Sequence, residues 1–145
     1  MDELIDRTNE VLADAYMIAF KTEFFHWNVV GPDFPQYHEY FGDFYDEVHG
    51  SIDTIAEFIR ACDGIPQNAP SMVKRTSSIS EVTQTLPIDE MFADLLDDVN
   101  TAVKNLLTTM DIADKFRKHG LSNYLQERQA AFEKHAWMLK SLLKS

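Results

Sequence analysis

The tripeptide Gly31-Pro32-Asp33 interrupts two stretches of helical apolar spacing, and this interruption constrains the fold more than any other feature of the chain. It predicts two long helices, 2–30 and 34–61, joined by a tight turn and packed antiparallel. Asp33 fits the N-cap of the second, with Gln36 as the N3 partner of a capping box. Pro35 falls in the first turn, where its missing N–H costs nothing.

Around this turn gather most of the metal-capable side chains: Glu23, His26, His38, His49, Asp53 and Glu57. His26 lies seven residues before Asp33 and His38 five after it. At about 1.5 Å rise per residue the two imidazoles stand at similar heights on antiparallel neighbours and can meet at one ion. Asp53 and Glu57, four apart, share a helix face. Yet Asp53 stands roughly 22 Å beyond His38 on the same predicted helix, so one subunit cannot assemble all four. A second copy can. If helix 34–61 packs antiparallel on itself about a two-fold axis, with residue numbers summing to about 93, His38 of one chain faces the Asp53–Glu57 stretch of the other. The spacing therefore points to a metal site shared by two chains.

The same residues resemble a known family. The run His26-Trp27-Asn28-Val29-x-Gly31-x-x-Phe34-x-x-x-His38, followed by Asp53-x-x-x-Glu57, is similar to the Dps miniferritins, as is Glu133-Lys134-His135-x-Trp137-Met138-Leu139. The resemblance spans nearly the whole chain. It implies an all-α, ferritin-like four-helix bundle with a short extra helix in a long crossover, as one domain over 1–145. It also implies a hollow homo-oligomer, a dodecamer built from two-fold dimers. The sites between its subunits would oxidise Fe(II) as a ferroxidase, usually with hydrogen peroxide, and ferric iron would be stored inside. By the motif, His26 and His38 are ligands from one chain, Asp53 and Glu57 come from its partner, and Trp27 stands beside the site.

Two positions depart from that family. Where it usually has a carboxylate four residues after the second histidine, this chain has Gly42; Asp43 is turned about 100° away around the helix. Where it usually has an aliphatic residue, this chain has His49. The pairing that joins the four ligands brings the partner's residue 49 near Gly42, so that histidine can replace the missing carboxylate. The plainer reading packs His49 against Tyr45 and leaves water at Gly42. Glu23-x-x-His26 has the spacing of a di-iron motif, but no second copy accompanies it. Glu23 is then either a ligand to a second, weaker ion or an ordinary surface carboxylate. Imidazole with carboxylate suits iron, and equally Zn(II) or Mn(II).

The remaining pattern completes the bundle. Residues 62–87, with Gly64, three prolines and a Ser/Thr run, read as the crossover, with a short helix at Ser71–Thr76. A third helix is predicted over 88–118, stopped by Gly120, and a fourth over 122–143, begun by Ser122. His119 reads as a cation favoured at the third helix's C-terminus, and His135 and Trp137 as packing residues. The acidic pore that the family commonly carries near its last helix is reduced here to Glu127. No apolar run is long enough to span a membrane, no signal pattern opens the chain, and the lone Cys62 fits a reducing cytoplasm. A net charge of −11 with no basic tail predicts weak or absent DNA binding. The competing functions are a structural DNA-protecting shell, and a shell whose ferroxidase chemistry was lost with the carboxylate at Gly42.

Overall fold

The computed structural model describes residues 1–71 and 77–144. Within them run α1 (Asp2–Asn28), α2 (Phe34–His49), α3 (Ile52–Ala61), α4 (Ile88–Lys115) and α5 (His119–Leu143), and no strand. α1 packs on α2, α3 and α4, while α4 and α5 form a second hairpin. The four-helix bundle is therefore α1, α2 with α3, α4 and α5. Its core is continuous from Leu12, Ile18 and Phe25 through Phe41, Phe44, Val48 and Ile55 to Phe92, Leu95, Val99, Leu125 and Leu139. At the end that carries the turn, Phe41 sits 5.8 Å by ring centroid from both Phe25 and Phe92, and Tyr37 meets Phe92 edge-on. That aromatic layer fixes how α1 and α2 face each other.

The turn forms at the expected place. Gly31 takes φ 121°, a conformation that side-chain-bearing residues avoid, and the Phe34 amide closes back on Gly31 O at 3.1 Å. Asp33 is the N-cap, but its side chain makes no capping bond, so the capping box with Gln36 does not form. The second predicted helix is not one rod. It loosens at Gly50-Ser51, where Ser51 N bonds Val48 O at 3.1 Å and the Ser51 hydroxyl donates to the same carbonyl at 2.6 Å. Both residues keep right-handed helical dihedrals, so the chain direction persists while the ladder breaks. A glycine beside a back-bonding serine accounts for the interruption.

Helix ends also depart from the glycine rule. α3 closes with Asp63 at φ 63° and Gly64 N on Ile59 O at 2.9 Å; α4 closes with Arg117 at φ 59° and Lys118 N on Ala113 O at 2.8 Å. Both are six-to-one closures with a non-glycine residue in the left-handed position. α4 thus ends before Gly120, and α5 starts at His119 rather than at Ser122, which is buried inside it. His119 lies at a helix N-terminus, 3.4 Å from Asp114, and is no C-terminal cation. Of the short helix expected at Ser71–Thr76, residues 69–71 are helical and 72–76 lie outside the described residues.

Buried polar groups tie the elements together. Lys21 Nζ reaches Asp94 at 2.8 Å, Asp98 at 2.6 Å and Ser80 O at 2.9 Å, joining α1, α4 and the crossover. Asp14 accepts from Ser77 at 2.8 Å and from Asn105 at 2.6 Å. Arg128 grips Glu47 with both terminal nitrogens, at 2.5 and 3.0 Å, and His135 reaches the same carboxylate at 2.8 Å, linking α2 to α5. His135 is stacked on Phe44 at 3.9 Å, the packing role read from its position. Trp137, by contrast, is 62% exposed.

Burial pushes the Glu47 carboxyl up, but the hydrogen bonds from His135 and Arg128 outweigh it and bring it down from 4.5 to about 2. A depressed carboxyl gives stability that is complete above 4.5 and is lost as pH falls toward about 2. Glu47→Gln should lower the thermal midpoint at neutral pH and flatten its fall across that acid window. Calorimetric melts of both proteins over the pH series check this.

Candidate metal centre

The last turn of α1 and the second turn of α2 bring His26 and His38 face to face. Their rings stack with centroids 3.8 Å apart and planes 13° from parallel, and Phe34 stacks on the far side of His38 at 5.0 Å. Each imidazole also bonds the other's backbone: His26 Nδ1 to His38 O at 2.6 Å, and His38 Nδ1 to His26 O at 2.7 Å. A carbonyl can only accept, so each Nδ1 carries the hydrogen, and in the neutral ring Nε2 keeps the lone pair. Metal-binding histidines are commonly set in this way, with the distal N–H held by a carbonyl and the other nitrogen free for an ion. Among the described residues no protein group is hydrogen-bonded to either Nε2.

The pair opens on a groove of about 450 Å³, also lined by Glu23, Trp27, Glu39, Gly42, Asp43, Tyr45 and Asp46. Glu23 therefore shares the groove, half-buried, with Tyr45 beside it. Burial, then the hydrogen bond to Glu23 and the charges of Glu23 and Asp46, push the Tyr45 phenol up. Trp27 is 63% exposed and forms part of the rim. His49 lies exposed at the end of α2, its ring 5.3 Å from that of Tyr45. Asp53 and Glu57 are exposed on α3 and do not line the groove. Among the described residues no three His, Cys, Asp or Glu side chains gather into a metal-holding cluster within one chain.

Gly42 is not an empty place beside the histidines. The His26 ring lies directly over it, so close that a Cβ there would be 3.0 Å from Cε1 and 3.1 Å from Nδ1. Neither this approach nor the crossed carbonyl bonds were read from the sequence. A signal existed: residue 42 is the helical i+4 partner of residue 38, so its backbone covers the carbonyl that His26 uses.

A ferritin-like domain model matches residues 5–145 of the chain. The DNA protection during starvation protein of Brevibacillus brevis is 33% identical over 93% of this chain and 91% of its own length. DNA protection during starvation protein 2 of Bacillus anthracis is 33% identical over 97% of each. The crystal structure of a Dps protein from Bacillus brevis superposes with a TM-score of 0.94 at 31% identity, covering 99% of this chain and 96% of that one. The helical bundle is thus of the ferritin-like class, and the chain belongs within it to the Dps family of miniferritins.

In metal-free protein, nitrogen-15 NMR should show His26 and His38 as Nδ1–H tautomers when neutral. Signals of the Nε2–H form would contradict the crossed bonds.

Proposed function

We propose that this chain is a single-domain miniferritin, 1–145, which takes Fe(II) as substrate at sites between subunits and stores the ferric product inside a hollow homo-oligomer. The observation that carries this reading is the His26–His38 pair, two imidazoles with both tautomers set and, among the described residues, no protein hydrogen bond to either Nε2. Two nitrogens are half a ligand set. Asp53 and Glu57 of a second copy complete it, since their own helix segment does not line the groove. The carboxylates supply charge for the incoming cation and the imidazoles hold its position. Trp27 on the rim shields the ion and stands within reach of oxidising species. Peroxide is the proposed oxidant, and Zn(II) or Mn(II) would compete for the same donors. His49 from the partner, or Glu23 from the same groove, offers a further ligand.

Twelve copies, the proposed assembly, would carry a formal charge of −132 from −11 each. Because cation–phosphate contacts supply essentially all non-specific DNA affinity, the oligomer is proposed to bind DNA weakly or not at all. The cytoplasm is its proposed compartment. No helix among the described residues is long and apolar enough to cross a membrane.

Fe(II) oxidation followed with peroxide and with oxygen, beside a DNA gel shift, tests the reading. Rapid peroxide-dependent oxidation with no salt-resistant shift is the expected pair of results. The shared site has its own test. His38→Ala and Asp53→Ala homomers should each lose metal binding, while mixed dimers of the two variants keep one intact site of two. Mixed assemblies that recover no binding would show that the ligands do not come from two chains.

A further inference from the structure

We propose that the groove between α2 and α5 is a binding site for an organic cation, an ammonium group carrying an apolar tail. The groove has two continuous parts, of about 590 and about 470 Å³, which share Tyr40, Asp43 and Met138. It runs from Gln36 to Glu47 along α2 and from Leu142 back to Ala131 along the antiparallel α5. At about 1.5 Å rise per residue this makes it roughly 16 Å long. One end is clamped by Arg128 and His135 on Glu47; beyond that clamp the groove opens. Concavities of this size, with mostly apolar walls and a few polar groups, are the usual form of a small-molecule site.

The wider part has aromatic walls. Tyr37 and Tyr40 stand edge-on to Phe92, with ring centroids 5.4 and 6.2 Å from it, so the core holds both rings in place. Trp137 stands on the α5 wall with 62% of its surface exposed, and Met138 and Leu142 continue the apolar lining. The charge there has one sign. Glu39 and Asp43 line this part, and no described cation does. Neither carboxylate makes an ion pair or a side-chain hydrogen bond among the described residues. Glu47, at the clamped end, is by contrast already matched by Arg128 and His135, with Lys134 beside it.

These walls select among occupants. An ammonium at the middle of the groove meets the charges of Asp43 and Glu39, and the ring faces of Tyr40 and Trp137 add cation–π attraction. Its tail lies along Met138 and Leu142, where apolar surface leaves water on both sides. An anion meets only repulsion, and a neutral apolar molecule leaves the carboxylates unused. A bare metal ion fits poorly, because among the described residues no three metal-capable side chains converge. The site does not depend on the ligand reading of His26 and His38, although Glu39 and Asp43 also border their groove.

The test uses the metal-free full chain carrying Trp27→Phe, which leaves Trp137 as its one tryptophan. Hexyltrimethylammonium is titrated against Trp137 emission, beside hexanol and hexyl sulfate as neutral and anionic partners with the same tail. The ammonium should bind saturably, change the emission, and bind at least tenfold more tightly than either partner. Asp43→Asn and Trp137→Leu lie at exposed positions, and each should weaken binding by about tenfold, the scale of one desolvated cation contact. Calorimetry reads the Trp137→Leu variant. Equal binding of the three amphiphiles, no binding at all, or unchanged affinity in both variants would overturn the proposal. Acrylamide quenching covers the remaining occupant: Trp137 shielded in the assembled protein and accessible only after dissociation would show that a second copy fills the groove, which also overturns it.

Discussion

The crossed pair of imidazole-to-carbonyl bonds between His26 and His38 is the contact on which the functional end of the bundle depends. His26 O belongs to the last turn of α1, where carbonyls lack an intrahelical donor. His38 supplies one at 2.7 Å. The return bond, from His26 to His38 O, lands on α2, four residues before Gly42. One motif thereby satisfies a helix end, closes the hairpin beside Gly31-Pro32-Asp33 and sets two tautomers. If the two imidazoles are ligands as proposed, folding and ligand preparation are the same event, and the donors carry no separate reorganisation cost when an ion arrives. Close to them Phe25, Phe41 and Phe92 pack ring against ring, tying α1 and α2 to α4.

Away from this end, register is set by buried charge, and two clusters show opposite balances. Asp98 is raised to about 6: burial dominates, and the one ammonium of Lys21 is shared with Asp94. Glu47 is depressed because it receives a two-pronged guanidinium and an imidazole while keeping some exposure to water. The difference follows from donors per carboxylate, not from depth alone. Lys21 also holds Ser80 O, and Asp14 holds Ser77, so the same buried charges fasten the crossover to α1. Such ions contribute little net stability, because desolvation offsets their attraction, but misregistered packing would leave them unpaired.

Periodicity made the helical segments legible, and the Gly-Pro-Asp run located the turn. The juxtaposition of His26 with His38 followed from those two signals, and the ferritin-like four-helix class from the resemblance to the Dps miniferritins. What stayed hidden depends on choices that local sequence underdetermines. Gly50-Ser51 can continue a helix or loosen it, and the outcome rests on the Ser51 hydroxyl turning back to Val48 O. Asp63 and Arg117 take left-handed closures that composition assigns to glycine, because hydrogen bonds to Ile59 O and Ala113 O offset the strain. Asp33 had the right position, but its carboxylate makes no capping bond. The Lys21 cluster was invisible for a different reason: its members are separated by some seventy residues, and nothing local marks a lysine as buried.

The open side of the centre has a second property. Trp27, 63% exposed, lines the groove, while Phe20 at 45%, Val30 at 83% and Phe34 at 39% exposure lie elsewhere on α1, in the turn and at the start of α2. Isolated exposed apolar residues mean little, but these stand on the two helices and the turn that carry the histidine pair. Under the proposed reading, one association event both covers the aromatics and delivers the carboxylates of α3. Metal affinity and subunit affinity are then linked: an ion that binds only the joined pair stabilises the pair by the same free energy that the pair lends to the ion. On that same reading, the chain would withhold a complete redox site until it had assembled, which would confine iron oxidation to the oligomer proposed to store the product.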